Sequence, residues 1–197
     1  MTPIEAIPQD IRGRYEIHKW RHATAVLRED FPQEWADILA VLSEFQLRRS
    51  EVAVPGGQKS PVSNRIEGAF AVLGWREKSF RTQIVVDNAA IDSPTHKVDC
   101  FKNGVALEIE WNNKDPFFDR DLNNFRLLFE LRAVSVGLII TRCDDLQEIF
   151  DALGKGKSYG SSTTHMSKLL PRLEGGGGGG CPVLVFGITR QLYRPDL

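Results

Sequence analysis

The spacing of hydrophobic residues divides this chain into helices and strands. Between residues 22 and 47, apolar side chains recur every three or four positions, and Asp30 followed by Pro32 predicts that the helix restarts there. Residues 135–142 form a nearly unbroken apolar run, which is typical of a strand buried on both faces. Such patterns predict helices over 22–47, 63–75, 119–134 and 144–153, a short helix at the end of 154–175, and strands over 81–87, 96–102, 104–111, 135–142 and 181–189.

Two of these strands are joined by a strong turn signal. Asn103 and Gly104 both tolerate the left-handed backbone conformation that a two-residue hairpin turn requires. The strand over 96–102 is therefore expected to fold back against the strand over 104–111.

The order of the elements predicts an α/β fold in which helices flank a mixed β-sheet. A single domain covering residues 1–197 accommodates all of these elements. Ser63 is the expected cap of the helix over 63–75. The six glycines at 175–180 are expected to form a flexible connector.

Three acids on the hairpin are the first candidates for chemistry. Side chains alternate between the faces of a strand, so Glu108 and Glu110 point one way while the apolar residues between and beside them point the other. The turn brings Asp99 close to Glu108. Carboxylates are ligands that Mg²⁺ prefers, and a bound metal activates water for attack on a phosphate. The remaining acid can orient or deprotonate that water.

The spacing of these acids has a second interpretation. Glu108 and Glu110 can lie on a solvated strand face, where Lys97 or Arg126 would pair with them. The spacing alone leaves the two interpretations equally open.

Bulk composition excludes several classes of protein. The chain has 197 residues and a formal net charge of −1, so it has no overall basic field for binding nucleic acid, although a few local Lys and Arg residues can still line a cleft. Its three cysteines do not suggest a disulfide framework or a zinc site, which makes reduced thiols and a cytoplasmic location the expectation. No apolar run approaches the roughly 20 residues of a membrane span, and no secretory signal is visible.

A longer motif surrounds the acids and gives the chain a family resemblance. It resembles the BglII-type type II restriction endonucleases, in the BamHI/BglII branch of the PD-(D/E)XK nuclease superfamily. Similar helix, strand and loop segments occur at 21–42, 137–142 and 161–170. The motif residues, in order, are Asp99, Glu108, Glu110, Trp111, Asn112, Asn113, Pro116 and Phe117.

This resemblance implies a Mg²⁺-dependent homodimer that cuts palindromic double-stranded DNA, with a cognate methyltransferase in the cell. It implies that Asp99, Glu108 and Ile109 hold the metal. Glu110 occupies the position where the superfamily usually has Lys, a replacement that this branch tolerates, and it would orient or deprotonate the attacking water. Glu67 would be a further catalytic acid on the helix over 63–75, although a solvated helix residue is the alternative.

The same resemblance implies two segments that read bases, with lysines on the phosphates around them. The alternatives are an ordinary turn and a solvent-exposed loop. The candidate DNA-binding residues are Asn112, Asn113, Lys114, Lys155, Lys157, Ser161, Ser162, Thr163 and Thr164.

Three functions remain to be separated. The first is a type II restriction endonuclease, with a GATC-centred site as the expectation from the proteins that the chain resembles. The second is a nonspecific or repair nuclease on the same core. The third is a DNA-binding protein without catalytic activity, whose acids form structural ion pairs.

Overall fold

The computed structural model describes residues 6–54, 59–92 and 95–195. The helices are α1 Gln9–Arg12, α2 Ala23–Asp30, α3 Pro32–Glu44, α4 Arg49–Val52, α5 Pro61–Val72, α6 Phe117–Glu130, α7 Gln147–Ala152 and α8 Met166–Glu174. The strands are β1 Tyr15–Trp20, β2 Leu47–Arg48, β3 Arg76–Lys78, β4 Gln83–Val86, β5 Ala89–Asp92, β6 Val98–Lys102, β7 Val105–Glu110, β8 Val136–Arg142, β9 Val183–Ile188 and β10 Tyr193–Arg194.

Six strands lie side by side in the order β1–β9–β8–β7–β6–β3. The central strands β7, β8 and β9 are parallel to one another, whereas β1, β6 and β3 are antiparallel to their neighbours. Parallel neighbours need crossover connections, which run through α6 between β7 and β8 and through α7 and α8 between β8 and β9. The predicted mixed sheet flanked by helices is confirmed.

Alternate residues of β7 pack into two hydrophobic clusters on opposite faces of the sheet. Leu107 and Ile109 belong to the cluster that includes α2, α3 and α5, whereas Ala106 belongs to the cluster that includes α6 and α8. Glu108 and Glu110 follow Ala106 at intervals of two residues, so they face α6. The sheet therefore directs both acids into the interior between β7 and α6.

The hairpin between β6 and β7 has the predicted two-residue turn. Asn103 and Gly104 have φ values of 47° and 92°, both in the left-handed region. The register pairs Cys100 with Leu107, and Asp99 comes one position further from the turn. Because a slip of one residue would reverse the facing of every side chain, this turn sets which residues can approach the acids of β7.

The helix α5 begins earlier than its sequence pattern predicted. Ser60 is its cap, since its Oγ accepts a hydrogen bond from the Val62 amide at 3.1 Å. Pro61 then occupies the first turn, where its missing N–H costs nothing. Ser63 is buried inside the helix, so the prediction that it caps the helix is wrong. Residues 55–58, which precede this helix in the sequence, lie outside the described residues.

The six glycines form consecutive turns that pack against α6 and differ from the expected flexible connector. The Trp20 indole donates to the Gly179 carbonyl at 3.1 Å. Gly179 has a φ of 57°, and a Cβ there would lie 2.6 Å from Cγ of Arg126. Close packing and left-handed backbone thus explain glycine at this position.

The edge strands were missed because little of their surface is apolar and buried. Residues Glu16, His18 and Lys19 of β1 are only partly buried, although the strand pairs fully with β9. The predicted strand over 81–87 is found as β4, which forms an exposed two-stranded hairpin with β5.

Among the described helices, none is long and apolar enough to cross a membrane. The extent of one domain over residues 1–197 stays a prediction.

The packing of α6 on β8 gives a test of the fold. A Cβ on Gly137 would lie 2.5 Å from the ring of the fully buried Phe125. We expect Gly137→Ala to destabilise the protein by about 1–3 kcal/mol, because the ring must shift within a packed core. Gly68→Ala is the matched control: nothing lies within 4 Å of its new Cβ, and alanine in α5 should stabilise by up to about 1 kcal/mol. Urea denaturation midpoints that move in the same direction for both variants would contradict this packing.

Candidate active site

A cleft of about 650 Å³ opens beside β6, β7 and the start of α5. It contains acids, amides and amines from distant parts of the chain. Seven of the residues predicted from sequence line it: Glu67, Asp99, Ile109, Glu110, Asn112, Asn113 and Lys155.

Asp99 and Glu108 are held together by a crossed pair of hydrogen bonds. The Asp99 carboxylate accepts from the Ile109 amide at 3.0 Å. The Glu108 carboxylate accepts from the Asp99 amide at 3.2 Å. Each acid is thus held by the backbone of the opposite strand, with Asp99 at the cleft and Glu108 behind it.

The solvated strand face is excluded by burial. Glu108 and Glu110 are each 1% exposed. The cations considered as their surface partners lie elsewhere: Lys97 pairs with Glu77 at 2.9 Å, and Arg126 donates to Asn123. The acids of β7 therefore need partners inside the protein.

Glu110 has such partners on both carboxylate oxygens. The Asn113 side chain donates to Oε2 at 2.8 Å, and Nη2 of Arg120 lies 3.3 Å from Oε1. Arg120 also contacts Asp121 Oδ1 at 2.8 Å and lies 4.0 Å from the centre of the Phe117 ring. Asp121 escaped the sequence analysis because nothing in its local pattern shows that α6 turns it toward β7.

The site carries more negative charge than its described partners neutralise. Burial, and then the charges of Asp121 and Asp99, raise the pKa of Glu108 well above its usual range. Burial and Asp121 raise the pKa of Glu110 to about 9. Burial also raises the pKa of Asp121 to about 6, although Arg120 opposes that shift. An added cation would relieve this repulsion.

A buried carboxylate oxygen without a partner supports a cation site next to Asp99. Oε1 of Glu108 is buried and has no hydrogen-bond partner among the described residues. A buried carboxylate oxygen without a partner is costly. Such an oxygen is a suitable ligand for a hard divalent cation. No group of three or more His, Cys, Asp or Glu side chains in the described part of the chain has metal-binding geometry. The set predicted from sequence, Asp99, Glu108 and Ile109, contains only two such side chains.

The structure brings Glu67 to the same cleft, where it is partly buried. Its Oε2 lies 2.5 Å from Nζ of Lys59, and its Oε1 is buried without a described partner. Burial raises the pKa of Glu67, and the negative charge of Asp99 adds to the shift, whereas Lys59 opposes it. Glu67 is therefore held within the cleft, and its catalytic role stays a prediction. Sequence analysis missed Lys59, which lies in a loop with no local signal.

The two predicted base-reading segments lie against each other. The Thr164 amide donates to the Asn113 carbonyl at 2.8 Å, and the Asn113 amide donates to the Thr164 hydroxyl at 3.2 Å. Lys114 forms a β-bridge with Thr163. The segments 112–115 and 161–164 thus form one continuous surface beside the end of β7.

The members of this surface differ in what they can offer a ligand. The side chains of Ser161, Ser162 and Lys157 are exposed, whereas Thr164 is buried. The Thr163 hydroxyl already contacts Arg142 and the Gly160 carbonyl, both at 2.8 Å.

Arg142 supports this surface from inside the protein. It is 1% exposed, and its Nη2 donates to the Tyr159 carbonyl and to the Thr163 hydroxyl, both at 2.8 Å. Burial lowers its pKa to about 10. A charged residue at the end of the apolar run over 135–142 was the only sequence signal for this role.

Comparison with models of protein families gives a match that covers most of the chain. A family model described as "Restriction endonuclease BglII/BglIII" matches residues 15–188. The match includes every residue of the cleft named above. No curated protein matches the chain.

The repulsion at Glu110 predicts how stability depends on pH when no metal is present. The pKa of the Glu110 carboxyl rises from 4.5 to about 9 on folding. Its contribution to stability is therefore fully present below about pH 4.5, and it is lost as the pH rises toward 9 because the folded protein resists ionisation of Glu110. Glu110→Gln removes that loss and keeps an oxygen for Asn113. We expect the variant to be more stable than the parent by at least about 1 kcal/mol at about pH 8.

Thermal melts in EDTA at about pH 5 and about pH 8 measure this effect. The exposed Glu29→Gln is the control and should follow the parent at both values. A Glu110→Gln protein that is less stable than the parent at the higher pH would show that the charge of Glu110 is already neutralised.

Proposed function

The chain belongs to the BglII/BglIII restriction endonuclease family, and we propose that it is a Mg²⁺-dependent type II enzyme that hydrolyses both strands of a short palindromic DNA site. The family establishes DNA cleavage and a DNA substrate. The observation that carries the finer proposal is the crossed Asp99–Glu108 pair, in which Asp99 lines the cleft and Oε1 of Glu108 is buried behind it without a partner among the described residues.

Asp99, Glu108 and Ile109 are proposed to hold the metal ion. Enzymes of this kind generally use a divalent cation, and oxygen ligands favour Mg²⁺ among them. When bound, the ion lowers the pKa of a water molecule and neutralises charge that develops on the phosphate. The backbone amides of Asp99 and Ile109 keep both carboxylates in place before the metal arrives.

Glu110 is proposed to orient the attacking water and to accept its proton. Asn113 and Arg120 each contact one oxygen of this carboxylate, so its plane is fixed relative to the cleft. Glu67 is proposed as a further catalytic acid that helps to position the water, since it lines the same cleft from α5.

The continuous surface made by 112–115 and 161–164 is proposed to read the DNA. Asn112, Asn113, Ser161 and Ser162 would contact base edges, because their side chains are at least partly accessible. Thr163 and Thr164 would hold these groups in place through the bonds described above. Phosphate contacts are assigned to three lysines, Lys114, Lys155 and Lys157.

A palindromic target has a two-fold axis, which a homodimer matches with two identical half-site contacts. We therefore propose a homodimer, a GATC-centred target and a cognate methyltransferase that protects the same site. The rival functions are a nonspecific or repair nuclease and a DNA-binding protein without activity.

Incubating plasmid DNA with the protein, with and without Mg²⁺, separates these functions. Fragments of fixed size that appear only with Mg²⁺ support the proposal. A smear indicates a nonspecific nuclease, and intact plasmid that is nevertheless bound indicates a binding protein.

The metal assignment predicts a separation of cleavage from binding. Asp99→Asn and Glu108→Gln keep a hydrogen-bond acceptor but lose the charge that holds the cation. We expect each to lower cleavage by roughly 10²–10³-fold or more, while specific binding in Ca²⁺ changes little. Glu77→Gln, an exposed acid paired with Lys97, is the control and should cleave like the parent. Full cleavage by either site variant would overturn the assignment.

The DNA-reading surface predicts two kinds of binding defect. Ser161→Ala or Ser162→Ala should cost roughly 1–3 kcal/mol at one base pair and leave affinity for random DNA nearly unchanged. Lys157→Ala should weaken binding to all sequences and lower the slope of log K against log salt by about 1. Titrations against every single-base change of the mapped site measure both effects. If both serine variants keep the parent's discrimination everywhere, bases are read by other residues.

A further inference from the structure

The cleft holds a cation that no role described above uses. We infer that the Lys59 ammonium contacts the scissile phosphate and stabilises its charge during cleavage. This inference rests on the proposed nuclease function and adds a catalytic residue to it.

Lys59 lies just before α5, where Ser60 caps the helix, and it lines the cleft. Its Nζ is 2.5 Å from Oε2 of Glu67, and its side chain is 52% exposed. Glu67 therefore holds the Lys59 ammonium in the cleft, and the lysine is still accessible to a ligand that enters the cleft.

The charge of this ammonium interacts with the acids of the cleft. Burial lowers the pKa of Lys59, but the hydrogen bond and charge of Glu67, followed by the charge of Asp99, outweigh burial and raise it. The same charged groups affect the pKa of the buried Cys100 thiol. After burial, Glu67, Asp99 and Glu108 raise this pKa, whereas Lys59 lowers it. Lys59 thus remains cationic and close to the proposed metal ligands.

The Lys59 ammonium has hydrogen-bond donors available for a ligand. A lysine ammonium has three N–H donors, and among the described residues only Glu67 accepts one from Lys59. Two donors are left for a ligand. A phosphodiester bound at Asp99 would share the cleft with this ammonium, because both residues line it.

The other two cations of the cleft are more committed or less central. Arg120 donates to Glu110 and Asp121 and covers the Phe117 ring, so its charge is used within the protein. Lys155 donates to the Val54 carbonyl and contacts no carboxylate among the described residues. Of these three residues, Lys59 is the one that both has N–H donors without a described acceptor and interacts with the charges of Glu67 and Asp99.

The chemical role needs no proton transfer. As the water attacks, negative charge increases on the non-bridging oxygens of the phosphate, and hydrogen bonds donated to them strengthen in the transition state. Lys59 donates such a bond and keeps its proton throughout. Its loss should therefore reduce the rate of bond cleavage more than it reduces ground-state binding.

Lys59→Met is the test variant and Lys97→Met is its control. Lys97 forms a Lys–Glu pair of similar geometry, with 51% exposure, but it does not line the cleft. Under single-turnover conditions with Mg²⁺ and saturating DNA, we expect Lys59→Met to cleave roughly 10²-fold more slowly than the parent, and Lys97→Met to match the parent. Lys59→Arg, which keeps the charge, should recover part of the rate.

Binding in Ca²⁺ supplies a measurement that is independent of activity. The two ligands are the mapped duplex and the same duplex with a neutral methylphosphonate at the cleaved position. Lys59→Met should bind the ordinary duplex a few-fold more weakly than the parent does, roughly one phosphate contact, but bind the neutral duplex equally well. If Lys59→Met melts well below the parent, Lys59→Gln replaces it in both measurements.

The outcomes separate the two proposals. A parent protein that never cuts DNA overturns the proposed function, and the inference with it. A cutting parent whose Lys59→Met variant cleaves within about threefold of its rate overturns the inference alone. An equal loss of affinity for both duplexes also overturns it, because the lysine would then act on the structure and not on that phosphate.

Discussion

Burial of like charges between β7 and α6 is the constraint on which the rest of the site depends. Glu108, Glu110 and Asp121 are almost fully enclosed, where carboxylates without partners are costly. Arg120, Asn113 and the Asp99 amide compensate for part of that cost. A neutral replacement would fold more easily, and this unfavourable burial of three acids supports the proposed cation site.

The register of one hairpin connects this constraint to the fold. The left-handed turn at Asn103 and Gly104 sets β6 against β7, so that Asp99 and Glu108 each bind the backbone of the other strand. The parallel strands β8 and β9 then hold β7 in the centre of the sheet, because all three are buried on both faces. The relative positions of Asp99, Glu108 and Glu110 are therefore set by the central sheet rather than by its loops.

The surface proposed to read DNA is attached to the same strand. Asn113 binds Glu110 through its side chain and Thr164 through its backbone, so Asn113 connects the loop segment to the proposed catalytic acid. Arg142 holds the other side of the loop from the end of the neighbouring strand. Such connections offer a physical route by which the correct base sequence can favour the correct position of Glu110.

Local signals in the sequence determined the hairpin, the buried central strand and the facing of Glu108 and Glu110, because turn residues and alternation act between neighbours along the chain. The motif around these acids likewise identified the family. Only the tertiary structure decided that the acids are buried, that Asp121 and Lys59 join them, and that Arg142 holds the loop. Those contacts join residues far apart in sequence, and they depend on how helices pack on the sheet, which no local pattern encodes.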